Sequence, residues 1–324
     1  MKTRFVAALV GFWLLGAAAP AAALEVFYPP NGTSIVRANY LILRLTEGEA
    51  DAIEIEMGGE KSGRIETAAY RAIFGDFIKM QAAWNPGENQ FKVYGFKGGK
   101  QTALIEAGIY FVSDPLDSAP SAYEPFVFHQ AAREAQCAPC HNMNPTPDQM
   151  TDMDPAANPC VGCHKMMFTE KWIHGPAGAF QCGVCHEDGP GESRYEMRQS
   201  DFELCFMCHE DKQQEFDSNA FVHGPVGAGM CTLCHDPHAS STIFQVQKPI
   251  NELCKTCHEG FNKIHVLRAP SGNPHPMEGR KDPAREGREL ACSSCHNPHG
   301  NNVRYFWRDN PPSKMTLCLR CHKK

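Results

Sequence analysis

All sixteen cysteines of the 324-residue chain fall into eight copies of Cys-x-x-Cys-His, with no cysteine left over. In chain order these are motif 1 (Cys137, Cys140, His141), motif 2 (Cys160, Cys163, His164), motif 3 (Cys182, Cys185, His186) and motif 4 (Cys205, Cys208, His209). Motif 5 (Cys231, Cys234, His235), motif 6 (Cys254, Cys257, His258), motif 7 (Cys292, Cys295, His296) and motif 8 (Cys318, Cys321, His322) follow. On a helical turn, residues i, i+3 and i+4 share one face, so two sulfurs and an imidazole converge on one group. This is the attachment signature of c-type haem, with the cysteines as thioethers and the histidine as proximal iron ligand. A disulfide scaffold has no use for a histidine after every second cysteine. Zinc needs four ligands to meet and does not require the adjacent histidine. The expectation is eight covalently bound haem c groups.

Residues 1–23 read as an export signal: Lys2 and Arg4, an apolar run from Phe5 through Ala19, and small residues at Ala21 to Ala23. That run is shorter than the roughly 20 residues a spanning helix needs, and no other stretch qualifies, so no membrane span is expected. Cleavage before Leu24 removes Lys2 and Arg4 and takes the formal charge from −6 to −8. A nucleic-acid partner calls for a clustered positive patch. The basic stretch Arg280 to Arg288 is instead interleaved with acids, and Lys323 and Lys324 stand alone at the end. Because c-type haem is attached outside the cytoplasm, the protein is placed in the periplasm, at the outer-membrane surface or outside the cell.

A multidomain organisation follows. Residues 24–113 hold no cysteine or histidine and show strand-like alternation, as in Tyr40 to Leu45 and Ala52 to Met57. A Pro86-Gly87 turn leads into a strand through Tyr94, and Gly98-Gly99 precedes a last strand through Ile109 to Val112, which together predict an all-β sandwich. The turn and strand from Trp84 to Tyr94 resemble part of immunoglobulin-like modules. Residues 114–121, rich in Pro, Ser and Asp, form a linker. Residues 122–324 then carry every motif, at about 25 residues per haem, too little chain to bury an ordinary core at each site. Short helices joined by irregular segments, with haem as the core, are expected there.

The motifs group into four pairs, 137/160, 182/205, 231/254 and 292/318, with internal spacings of 23, 23, 23 and 26 residues. Such an array marks a repeat architecture. The phrases Cys231 to His238 (CTLCHDPH) and Cys292 to His299 (CSSCHNPH) resemble those of the multihaem cytochromes with doubled CXXCH motifs, related to the cytochrome c3 type. His238 and His299, three residues past a motif histidine, fill that family's distal-ligand phrase. His129, His174 and His223 each stand eight residues before a motif cysteine, and His275 and His265 lie in the enlarged joint before motif 7. These seven are the candidate distal iron ligands.

Haems held by two histidines pass electrons without offering iron to a substrate, so the expected function is an electron-transfer octahaem cytochrome rather than an enzyme. Its partners would be redox proteins, either other cytochromes or a membrane conduit. The alternatives are an octahaem oxidoreductase with one open catalytic haem, and a homo-oligomer or extracellular filament of this chain. Fifteen histidines less eight proximal ones leave seven, so within one chain at least one of eight haems differs. The distal phrase is empty after His141 and His186, which places the deficit in the first two repeats. Met143, Met166 and Met167 are the nearby thioethers; the other options are an open site or a histidine donated by a neighbouring subunit, for which His129 is best placed.

Overall fold

The alternation at Tyr40 to Leu45 is realised as a strand whose even side chains point outward and whose Leu41, Leu43 and Leu45 are at most 1% exposed. A computed structural model describes residues 24–36, 40–46, 48–114, 116–191, 193–259 and 275–322. The signal-like residues 1–23, His265, Lys323 and Lys324 lie outside the described residues. The chain divides into two compact units, Met1–Ser113 with Ala119–Phe126, and Asp114–Ser118 with Val127–Lys324.

The first unit is built from two sheets. One joins β1 (Leu24–Tyr28), β3 (Tyr40–Leu45) and β7 (Phe77–Gln81) in the order β1-β3-β7. The other runs β10-β2-β9-β8-β4-β5, using β2 (Thr33–Val36), β4 (Ala52–Met57), β5 (Glu60–Lys61), β8 (Gly87–Lys97), β9 (Lys100–Val112) and β10 (Glu124–Pro125), with β6 (Ile65–Glu66) also on β4. Inward side chains of both sheets, among them Leu43, Ile78, Ile53, Val93 and Ile109, form one core. The β8–β9 turn is Gly98-Gly99, with φ of 56° and 79°, the positive values a two-residue hairpin turn demands.

Two features depart from the sequence expectation. A seven-residue helix, α1 (Ala68–Phe74), interrupts the β rhythm, fastened by Arg71 Nη2 donating to the Leu45 and Thr46 carbonyls at 2.9 and 2.8 Å. The expected linker also does not end the first unit, because β10 pairs in parallel with β2 and Phe126 packs against the core. The Phe126 amide donates to the Ser34 carbonyl at 2.9 Å. A Pro- and Ser-rich composition locates where the chain leaves the sheet but not where it returns.

The second unit is made of short pieces. Its longest helix among the described residues is the nine-residue Glu210–Ser218, and its strands are two or three residues long. Of the 21 buried apolar residues described, it contributes four: Met150, Ala239, Val246 and Leu290. Side chains alone therefore give this unit little core. A recurring device organises it. Strand β11 (Trp172–Ile173) pairs with β15 (Ala239–Ser240), and β14 (Phe221–Val222) pairs with β16 (Gly300–Asn301), while β12 (His186–Asp188) pairs with β13 (Tyr195–Met197). The same two-residue ladder is thus made twice, each time between one motif pair and the next.

Candidate functional site

In seven of the eight motifs the histidine amide donates to the carbonyl of the first cysteine at 2.9–3.1 Å; motif 3 is a tighter 3-10 turn. The helical geometry read from the spacing is therefore present locally. Consecutive motifs are also neighbours in space. The first-cysteine thiols of motifs 2 and 3 (Cys160, Cys182), 4 and 5 (Cys205, Cys231) and 6 and 7 (Cys254, Cys292) are hydrogen-bonded partners. In each couple the earlier thiol is raised by that hydrogen bond and by burial, while the later is lowered, to about 7 for Cys182 and Cys292.

Between these junctions, burial and then the charge of the neighbouring motif raise Cys137 (by Cys163), Cys185 (by Cys208), Cys234 (by Cys257) and Cys295 (by Cys321). The eight motifs thus form one unbroken series in chain order. Asn158, 2% exposed, fixes the junction of motifs 2 and 3. Its Nδ2 donates to the Phe180 carbonyl at 2.7 Å and the Asp152 carbonyl at 3.2 Å, and its Oδ1 accepts from the Cys160 amide at 3.1 Å.

Among the described residues, six motif histidines are faced by a second histidine ring. The centroid separations are 5.8 Å for His164 and His129, 6.2 Å for His209 and His174, and 6.1 Å for His186 and His238. They are 6.0 Å for His258 and His223, 6.1 Å for His235 and His299, and 6.1 Å for His322 and His275. Imidazoles bind first-row metal ions with bonds of about 2 Å, and a ring nitrogen lies about 1.1 Å from its ring centre, so two on opposite sides of one ion stand about 6.2 Å apart. The residues present therefore fit a metal held between two imidazoles at each of these sites, with the paired cysteines beside it.

Seven of these rings, and that of His296, have a partner on the side away from the metal position, which leaves Nε2 for a metal. Nδ1 of His186, His235 and His296 lies 3.0, 2.8 and 2.6 Å from the carbonyls of Tyr195, Phe244 and Tyr305, each nine residues further on. Phe244 and Tyr305 have φ of 65° and 71°, and these left-handed turns aim their carbonyls at the imidazole. His174 and His223 bond to the carbonyls of Pro237 and Pro298. His275 Nδ1 lies 2.9 Å from the Pro276 carbonyl, and His238 Nδ1 lies 3.2 Å from Asp236.

His129 is held differently. Its Nδ1 is 2.7 Å from Glu134, which is 2% exposed and ion-paired to Arg194. Arg194 also reaches Asp188 at 2.8 Å and the Met143 carbonyl at 3.0 Å. Pinned this way, His129 faces His164 of its own chain.

Burial lowers the basicity of His174, His186 and His223, and takes His299 to about 4, with the charge of His235 adding to it. A neutral imidazole is the form that coordinates metal.

Sequence spacing therefore brought out the motifs and the histidines that face them, but not which faces which. The ladders settle this by placing the His174 amide on the His238 carbonyl at 3.0 Å and the His223 amide on the His299 carbonyl at 3.2 Å. The carbonyl acceptors at Tyr195, Phe244 and Tyr305 were missed, although an aromatic nine residues past three motif histidines was a readable signal.

The family described as "Doubled CXXCH motif" matches residues 174–214, 223–263 and 282–324, which carry motif pairs 182/205, 231/254 and 292/318. The chain thus bears the haem-attachment sites of c-type cytochromes. No curated protein matches. A crystal structure of an engineered protein aligns at a TM-score of 0.21 with 10% identity, over 28% of this chain and 20% of that one, a likeness too slight to carry an argument. No helix of the described residues is long and apolar enough to cross a membrane.

Proposed function

We propose that the chain is an exported electron-transfer cytochrome carrying eight covalent haem c groups in a single file, most of them held between two histidines. The observation that carries this reading is the set of six facing histidine pairs at 5.8–6.2 Å, each beside its Cys-x-x-Cys thiols. Bound haem supplies reversible one-electron exchange between ferric and ferrous iron.

The chain's own residues set where that exchange happens. The cysteines would hold each group in place, and at six motifs the two facing imidazoles would hold its metal and leave it no room for a substrate. The carbonyls of Tyr195, Phe244 and Tyr305 orient three of the motif rings. From motif 1 to motif 8 a cysteine of each motif lies beside one of the next, so the attached groups would follow one another closely, as a relay requires. A relay needs a donor and an acceptor protein, and the unit from Leu24 to Phe126, which has no cysteine or histidine, suits docking to such a partner or to another copy of the chain.

The test is made on the exported, purified full chain. Intact mass should show eight haems per chain, and the ferric electron paramagnetic resonance spectrum should be dominated by low-spin signals. Stopped-flow reduction should load about eight electrons per chain. Fewer than eight haems, or a mostly high-spin spectrum, would refute the reading.

A further inference from the structure

The register of the facing rings sets one motif apart. The ring facing motif 3 comes from three residues past the histidine of motif 5, namely His238, and the ring facing motif 5 comes from three past motif 7, namely His299. By the same register the ring facing His141 would come from three residues past His186, and that residue is Gly189.

Motif 1 also lacks the local build of motifs 3, 5 and 7. His186, His235 and His296 each bond to a carbonyl nine residues on and pair with the backbone eleven residues on, at Met197, Val246 and Trp307. Among the described residues His141 does neither; it is exposed, and no second histidine ring faces it. Of the seven candidate distal histidines six face other motifs, and the seventh, His265, lies outside the described residues in the joint before motif 7, where it is the candidate for His296. Met143 offers no substitute: a two-residue tether reaches about 7 Å at most, too short to pass round a porphyrin. Its carbonyl is moreover fixed by Arg194 Nη1 at 3.0 Å and Tyr195 Oη at 2.9 Å.

We propose that the motif-1 site, made by Cys137, Cys140 and His141, binds a small neutral donor molecule from solution at the axial position opposite His141. The inference rests on the haem reading above. A neutral ligand is favoured because the charged residues between His141 and Cys160 are Asp148, Asp152 and Asp154, all exposed and all repelling an anion, while the Arg194 guanidinium at the Met143 carbonyl is already paired with Glu134 and Asp188. The site stands at one end of the series, so a ligand bound there is in electronic contact with the whole file through motif 2.

The full haem-loaded chain tests this with imidazole and carbon monoxide as probes. In the ferric protein, a high-spin signal equal to about one haem in eight should convert to low-spin as imidazole is added. In the reduced protein, about one equivalent of carbon monoxide should bind. Gly189→His restores the missing register, and a Cβ at Gly189 meets nothing within 4 Å. This variant should carry eight haems, lose the high-spin signal and lose carbon monoxide uptake.

An unaltered chain with eight low-spin haems and no carbon monoxide uptake would overturn the proposal while leaving the relay intact. So would undiminished uptake in a fully loaded Gly189→His, or a high-spin signal that fades as protein concentration rises, which would assign the position to a second copy. Several equivalents of carbon monoxide in the unaltered chain would overturn the relay reading as well. If Gly189→His fails to load haem, the imidazole titration of the unaltered protein decides alone.

Discussion

The rings of His186 and His238 lie 6.1 Å apart with their planes 7° from parallel, although the two residues belong to different repeats. The separation comes from the ladder that sets Ala239–Ser240 against Trp172–Ile173, which holds His238 immediately beside the strand. Replacing His238 with alanine should therefore leave haem covalently attached at Cys182 and Cys185 while changing one haem from low to high spin. Carbon monoxide binding to the reduced variant should rise by one equivalent over the unaltered chain. An unchanged spin count would mean that His238 is not a ligand.

Asn158 should be the most costly polar side chain to remove at the junction of motifs 2 and 3. Its amide serves the Phe180 and Asp152 carbonyls in partly buried hydrogen bonds, and Asn158 itself is 2% exposed. Asn158→Leu strands them, at a cost of about 2–3 kcal/mol. Denaturant unfolding of the haem-loaded protein, followed at the Soret band, measures it. Thr242→Val at a surface turn should change the midpoint by far less.

Acid should destabilise the second unit through its carboxylates. Burial alone would raise Asp282, yet hydrogen bonds from Ser294, Arg285 and the Ala284 amide outweigh it and hold the carboxyl below its ordinary value. The hydrogen bond and charge of Arg194 hold Asp188 down likewise. Both groups bind protons more readily when the chain is unfolded. Their stabilisation is thus complete above about pH 4 and is lost as pH falls through the depressed folded values. Unfolding midpoints at pH 6, 4 and 3 should decline in that order, and Asp282→Asn should lower the midpoint at pH 6 while flattening the decline.

The first unit should fold by itself only if it is cut at the right place. A fragment of residues 24–126 keeps β10 on β2 and Phe126 on the core, whereas one of residues 24–113 loses both. The longer fragment should be colourless, β-rich by circular dichroism and several degrees higher in melting temperature. Equal melting temperatures would show that the returning segment contributes nothing.

These expectations separate what was legible in the chain from what was not. Leu41, Leu43 and Leu45 announced a half-buried strand because a pleated backbone alternates its faces. The motifs announced their own local geometry because it spans only five residues. Helix α1 and β10 were hidden, since each is held by contacts to distant backbone, Arg71 on the Leu45 carbonyl and Phe126 on the Ser34 carbonyl. The partner of each motif histidine was hidden for the same reason. His238 adjoins motif 5 in sequence and faces motif 3 in space.

That crossing has a consequence in time. As the chain emerges from its amino-terminal end, His174 precedes His209, His223 precedes His258 and His275 precedes His322, so motifs 4, 6 and 8 meet a partner already made. Motifs 3 and 5 are made before theirs and wait for His238 and His299, each of which arrives only with the next repeat. Maturation of this file would therefore be staggered, with motifs 3 and 5 each finished late by the repeat that follows.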